Sequence, residues 1–272
     1  MSDQEIVTTL TNRVFTVTLN RPEKLNAWTA RMEDLFAATL REASETDEAR
    51  VIVLTGAGRG FCAGADISLL STIAALDAGS LRLSADVDFP PDAPPDLRKK
   101  YSWLFAVPKP IIAAINGPAL GLGFLVSLFC DLRVAAASAT FQTAFARRGL
   151  VAEYGMGWIL PRIVGVANAM DLLITSRTID AQEALRMGLV QRVVPDDGFR
   201  AAVQGIAEDL ASQVSPRSMR VMKEQVYAGL MEGLGAGIDR AFAEMLKSFT
   251  SDDFREGVQH FVEKRPPAFP GR

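Results

Sequence analysis

Apolar residues along this chain fall into two rhythms. At positions 14–19, VFTVTL, branched, aromatic and threonine side chains alternate, which predicts a strand that Asn20-Arg21-Pro22 ends. Over 27–43, Trp28, Met32, Leu35, Phe36 and Leu40 recur near the spacing of one helix face, so a helix is expected there. The run RVIVL at 50–54 reads as a short buried strand, 55–64 as a glycine-rich turn, and 66–76 as a helix.

The stretch 111–130, IIAAINGPALGLGFLVSLFC, joins an apolar β-type run to a glycine turn and then to an apolar helix. The first turn of a helix carries unpaired N–H donors, and glycine lets a ligand approach the backbone, so this order can aim amides at a ligand. The other reading is a buried helix whose glycines serve packing alone. Gly117, Pro118, Gly121 and Gly123, clustered about its middle, exclude a membrane span.

Residues 77–96 break both rhythms, with four prolines (Pro90, Pro91, Pro94, Pro95) and five aspartates (Asp77, Asp86, Asp88, Asp92, Asp96). A surface loop over 77–97 is expected, as a lid or as a passive insertion. Further on, 98–105 reads as helical, 131–136 as a strand and 154–163 as a helix ending near 161–165, while 141–149 has no clear rhythm. Asp180 and Glu183 form a capping-box start, and 190–194 is a further strand. From 198 to 264 the pattern is helical, with Pro216 at a helix start and a glycine break at 233–237. The expected organisation is an α/β core over 1–195 and a helical C-terminal region over 196–272.

Composition narrows the chemistry. The net charge of −3 gives no support for nucleic acid or an anionic membrane as partner. Two cysteines, Cys62 and Cys130, make no disulfide framework, and the polar, acidic N-terminus lacks the order of a signal peptide, so a cytoplasmic protein is expected. The chain holds one histidine, His260. No metal site is expected, and acid–base work must fall to carboxylates, lysine, tyrosine or cysteine. Residues 55–60, TGAGRG, follow a strand like a dinucleotide-binding turn. Phe61 and Cys62 stand where that motif needs glycine, and no Tyr-x-x-x-Lys occurs.

Phe61-Cys-Ala-Gly-Ala-Asp66-Ile67 and Asn116-Gly-Pro-Ala-Leu-Gly-Leu-Gly123 resemble the two signature segments of the crotonase superfamily, the enoyl-CoA hydratases and isomerases. Further matches are Arg21-Pro22 with Leu25-Asn26-Ala27, Cys130 to Ala135, Leu160-Pro161-Arg162, Ala184 with Met187 to Val190, and Glu263 to Pro267. The resemblance implies an α/β fold, a spiral of ββα units with a helical C-terminal region used in trimer contacts, as a homotrimer or a dimer of trimers. It implies an acyl-CoA thioester substrate and no separate cofactor. It places the oxyanion-hole amides on Ala65 and Leu122. It puts Lys24, Asn26 and Ala27 near the nucleotide end of CoA, with Ala63 and Ile67 near the adenine and pantetheine. Lys24 also reads as an ordinary surface lysine.

The chain departs from the family at two positions. Where its hydratases carry two glutamates, Leu125 and Phe145 stand here, neither able to hold water or move a proton. They suggest an apolar acyl pocket for a branched, cyclic or aromatic group. Glu153 falls where the family's isomerases carry their single acid, though it also reads as a helix N-terminal residue. A double-bond shift with Glu153 as base is the favoured reaction. Hydration or other crotonase chemistry with an atypical site stays open, as does a catalytically silent acyl-CoA binder. Asp66 reads as a helix cap, Asp131 and Arg133 as organisers of a strand entry, and Cys62 as a small core residue.

Overall fold

The structure is a computed structural model that describes residues 4–75, 86–87 and 89–272. Strands β1 (Ile6–Thr11) and β2 (Val14–Leu19) form a hairpin through Asn12 and Arg13, both at positive φ. Positive φ at both turn residues matches the right-handed twist of the strands it joins. Parallel to β2 run β3 (Val51–Gly56), β4 (Ile111–Ile115), β6 (Leu132–Ala136) and β9 (Arg192–Val194), giving the order β1-β2-β3-β4-β6-β9. A smaller sheet holds β5 (Ala119–Leu120), β7 (Thr140–Gln142) and β8 (Ile179–Asp180). Single bridges extend it, Cys62 to Ala119 and Trp28 to Ala65. Each turn of the chain therefore lays one strand in the large sheet and one short extended segment in the small sheet. A helix follows: α1 (Ala30–Glu45), α2 (Ile67–Ala74) and α3 (Leu122–Leu128) after the first three.

Continuous apolar runs such as VIVLTG in β3 are buried on both faces, as parallel sheets require. One face meets the main core, with Ile52, Leu54, Ala113 and Ile115. The other, with Val51, Val53, Ile112 and Val134, is covered by Phe199, Val203, Ala207 and Ala211. Those four project from one stripe of α6 (Phe199–Gln213), whereas α4 (Met156–Thr175) and α5 (Ala181–Arg186) pack their buried residues on the first face. Past position 195, α6 packs on the sheet and is followed by α7 (Pro216–Gly229), whose Tyr227 packs against the main core, then α8 (Leu234–Phe249) and α9 (Asp252–Glu263).

Several expected elements shift. Helix α1 begins three residues late, because Leu25 and Asn26 sit at φ 48 and 57 and Trp28 is bridged to Ala65. The helix expected over 154–163 is the first half of α4, which passes through Pro161 and breaks at Gly165 (φ 78, ψ 158). The glycine break moves to 230–233, where Gly233 caps α8, and Gly235 and Gly237 lie inside the helix. The caps hold as expected: Asp66 accepts from Ser68 N, Asp180 from Glu183 N, and Pro216 opens α7 after Ser215.

Part of the expected surface loop is anchored. Residues 76–85 and 88 lie outside the described residues. Val87 N donates to Arg98 O, and Phe89 is buried against Trp103 under the Arg41 guanidinium.

Helix α7 docks through a buried ion pair. Lys223 donates to Asp131 at 2.8 Å and to the carbonyls of Leu104 and Lys109. The same carboxylate accepts from Ile111 N and Tyr227 Oη. Lys223→Met is expected to cost about 3 kcal/mol in denaturant unfolding, because it strands the Asp131 charge.

Candidate active site

Two glycine-rich segments meet above the first turns of α2 and α3. Segment 62–66 bends at Gly64 (φ 89) and then pairs Ala65 with Trp28 in a single parallel bridge: Trp28 N donates to Gly64 O at 2.7 Å and Asp66 N donates to Trp28 O at 2.9 Å. Successive residues of an extended strand turn their amides to opposite sides. The Ala65 N–H therefore points away from Trp28, and among the described residues it has no acceptor. Leu122 opens α3 after Gly121, whose φ of 49 and ψ of −112 suit a residue without a Cβ. Its N–H belongs to the unpaired first turn and likewise has no acceptor among the described residues. The two segments touch: a Cβ on Gly64 would stand 3.6 Å from Leu122 N.

Two asparagines hold the turn at 56–61 that leads into this site. Asn26, fully buried, donates from Nδ2 to the carbonyls of Ala57, Gly60 and Phe61 and accepts from Arg21 N. Asn116 accepts from Gly56 N and donates to the carbonyls of Gly58 and Gly60. The turn that mimics a dinucleotide loop is thus a braced strut. Cys62 is sealed in beneath it, its thiol pushed up to about 12 by burial, so it is no nucleophile.

The two amides open onto one cavity of about 380 Å³. Of the residues expected at the site, Ala63, Ala65, Leu122, Phe145 and Glu153 line it. Leu125 does not: it is fully buried in the core, one turn into α3. Lys24, Asn26, Ala27 and Ile67 also lie off this wall. Lys24 is exposed, Ile67 is 78% exposed at the first turn of α2, and the Asn26 side chain is committed to the protein backbone.

Glu153 is half-buried just before α4. Burial pushes its carboxyl above the ordinary glutamate range, and the Lys100 charge partly offsets this. Among the described residues nothing donates a hydrogen bond to its carboxylate, so its basic oxygens are free to meet a ligand.

Sequence reasoning missed a second carboxylate on this wall. Glu33, one turn into α1, accepts from Trp28 Nε1 and Tyr101 Oη, both at 2.6 Å, and faces Lys100 at 3.7 Å. Buried indole and phenol groups need polar partners, which is the one signal the sequence carried. Nothing local links residue 33 to residue 101. The hydroxyl of Tyr101 is held protonated, first by burial and then by the Glu33 charge.

A family model described as enoyl-CoA hydratase/isomerase matches residues 9–272. The chain is 40% identical over 256 residues to a probable enoyl-CoA hydratase of Rhodobacter capsulatus, covering 94% of each. It is 35% identical over 259 residues to the 1,2-epoxyphenylacetyl-CoA isomerase of Escherichia coli K12, covering 95% of each. The crystal structure of a probable enoyl-CoA hydratase/isomerase from Mycobacterium abscessus superposes with a TM-score of 0.87 at 30% identity, over 98% of this chain and 99% of that one.

Proposed function

The chain belongs to the enoyl-CoA hydratase/isomerase family, and on that premise we propose that it isomerises an acyl-CoA thioester by a single-base proton shift, with Glu153 as the base. The observation that carries this reading is the shared cavity. Two unpaired amides, Ala65 and Leu122, and one free carboxylate, Glu153, face the same space. The thioester oxygen accepts from both amides. Glu153 takes a proton from the α-carbon, and the electron pair spreads through the adjacent double bond as a dienolate. The same proton returns to the γ-carbon, so a β,γ-enoyl thioester becomes the α,β isomer with no net gain or loss. Each amide of such a hole contributes about 3–4 kcal/mol toward the developing charge.

Hydration needs a second group that holds water and delivers a proton. Leu125 and Phe145 supply none. Glu33 is on the wall, but it is engaged by two short hydrogen bonds and a lysine, which suits an anchor better than a proton carrier. The Escherichia coli relative is a 1,2-epoxyphenylacetyl-CoA isomerase, and an isomerase whose acyl-CoA carries a ring supports the same direction. So does the apolar lining from Trp28, Leu69, Leu70, Leu122, Phe145 and Leu150. We assign a cyclic or aromatic acyl group on that basis.

The test is a panel of β,γ-enoyl thioesters with straight, branched and aryl acyl groups. Conversion to the α,β isomer, fastest for cyclic or aryl members, is expected. No double-bond shift with any of them would overturn the assignment. Because the base must be ionised and burial raises its pKa, the acid limb of kcat is expected above the ordinary glutamate range, read from a pH–rate profile.

The assembly proposed is a trimer, single or paired. Leu234, Ile238, Phe242, Met245 and Phe249 form an exposed apolar stripe along α8, which supports burial against another copy. Light scattering is expected to return a mass that is a multiple of three chains of 29.4 kDa.

A further inference from the structure

A second cavity, of about 560 Å³, adjoins the one that holds the two amides and Glu153. The two cavities share two lining residues, Lys100 and Tyr154, so the wall between them is built from these side chains. Lys100 is anchored. Its ammonium faces Glu33 at 3.7 Å and lies 5.6 Å from the centre of the Tyr101 ring and 5.2 Å from that of Tyr154. Tyr101 is anchored too, by its hydroxyl on Glu33. Tyr154 is the member of this wall held by its ring alone. It meets Tyr101 edge to face at 5.3 Å, and among the described residues its hydroxyl makes no hydrogen bond.

The chain passes from one cavity to the other at this residue. Glu153 lines the first cavity, Tyr154 lines both and Gly155 lines the second. The turn is made at φ 47 on Tyr154 and φ 81 on Gly155, in the left-handed region that disfavours a side chain as bulky as tyrosine. Such a conformation persists where the surroundings hold it, and it is concentrated at functional sites. The far cavity has a fixed aromatic floor. Phe105 stacks on Tyr227 at 3.8 Å and meets Phe129 at 5.0 Å, while Trp158 carries the Arg162 guanidinium over its ring. Leu230 and Met231, just beyond α7, add apolar surface, and the charged groups all come from the segment 96–100.

We propose that Tyr154 is the specificity-determining residue of this site: its ring ends the acyl pocket and confines it to compact acyl groups, and the aromatic cavity behind it is the space that a longer straight chain would need. This rests on the reading of the first cavity as the acyl-CoA site. The occupant follows from the order of groups along the substrate. With the thioester oxygen on Ala65 and Leu122 and the α-carbon at Glu153, the acyl chain is the part that continues past residue 153. The next residue is the wall. An apolar, aromatic cavity suits a hydrocarbon chain, and it does so without any new polar partner.

The experiment is calorimetric titration of the full-length protein with unreactive S-alkyl CoA thioethers of increasing straight-chain length, and with one bearing a phenyl group. Binding needs no turnover, so the readout stands apart from the isomerase assignment. In the wild type, Kd is expected to fall with the first methylenes and then to stop falling, with the phenyl member bound well. Tyr154→Gly suits φ 47 and removes the ring. Its Kd is expected to keep falling by roughly fourfold for each further methylene, the value of burying one such group. Tyr154→Phe is expected to keep the wild-type limit, because the ring remains. Met231→Trp added to Tyr154→Gly refills the far cavity and is expected to bring the limit back. An identical limit in wild type and Tyr154→Gly would overturn the proposal, as would a limit lost equally in Tyr154→Phe or one that Met231→Trp leaves unmoved. If Tyr154→Gly does not fold, Tyr154→Trp decides: its larger ring is expected to shorten the limit, and an unmoved limit overturns the proposal. Thioethers that bind in the expected pattern to a protein that shifts no double bond would sink the isomerase reading and leave the partition standing. Failure of every thioether to bind would sink the acyl-CoA reading of the cavity and the partition with it.

Discussion

Glu153→Gln is expected to slow isomerisation of a β,γ-enoyl thioester by roughly 100- to 10,000-fold, the range supplied by a positioned acid–base group. The amide keeps the size of the side chain but cannot take the α-proton. The dienolate then has to form against solvent alone, even though both oxyanion donors remain. Binding is a separate matter. The thioester oxygen still meets Ala65 and Leu122, and the cavity lining is unchanged, so Kd for an acyl-CoA measured by calorimetry is expected to stay within about a factor of three. Equal loss of binding and turnover would assign Glu153 to structure. Full turnover would remove it from the chemistry. A wild-type protein that binds thioesters and turns over none would instead support the silent-binder reading.

The second large effect is expected at Gly123. A Cβ there would stand 2.3 Å from the Cys62 carbonyl oxygen, 2.6 Å from its Cβ and 2.9 Å from its Sγ. The first of these is backbone and cannot rotate away. Cys62 also bridges to Ala119 and leads into Ala65, so relief of the clash must separate the two segments whose amides face the cavity. Overpacking a dense core costs about 1–3 kcal/mol, and Gly123→Ala is expected at the top of that range because the obstacle is main chain. Denaturant unfolding measures it, and kcat is expected to fall with it as the oxyanion donors part. Gly205→Ala is the control. Gly205 lies in α6 with nothing within 4 Å of an added Cβ, so the same substitution is expected to be neutral or stabilising there. Similar effects at both positions would contradict the packing argument.

What could be read from the sequence was local. The strands β2, β3, β4 and β6 announce themselves by apolar runs, and the helix starts at Asp66, Asp180 and Pro216 by short-range chemistry. The amides of Ala65 and Leu122 were named through the family resemblance of their two segments, and among the described residues both are without an acceptor on one cavity wall. Two kinds of feature were hidden. Residues that act across long separations carried no signal of which partner they meet: Glu33 meets Tyr101 and Lys100 only once α1 and the 3-10 helix that starts at Ser102 pack together. Residues with a plausible polar role were absorbed by the fold: Asn26, expected beside CoA, spends its donors on the carbonyls of Ala57, Gly60 and Phe61. Leu125 is the converse. Its position in the chain suggested an acyl-pocket wall, but helix α3 buries it completely in the core and leaves Phe145 to line the cavity. Tertiary packing decided both, and no periodicity encodes it.

The most direct test of single-base isomerisation is product analysis in water enriched in heavy oxygen. Wild-type protein is supplied with a β,γ-enoyl and, separately, an α,β-enoyl thioester carrying an aryl or cyclic acyl group. Mass spectrometry then reads product mass and oxygen content. The first thioester is expected to be converted to an isomer of unchanged mass, with no heavy oxygen in either tube. A hydroxyacyl product carrying the solvent's oxygen would contradict it, and would mean that Glu153 and Glu33, or groups beyond them, hold and split a water molecule in this cavity.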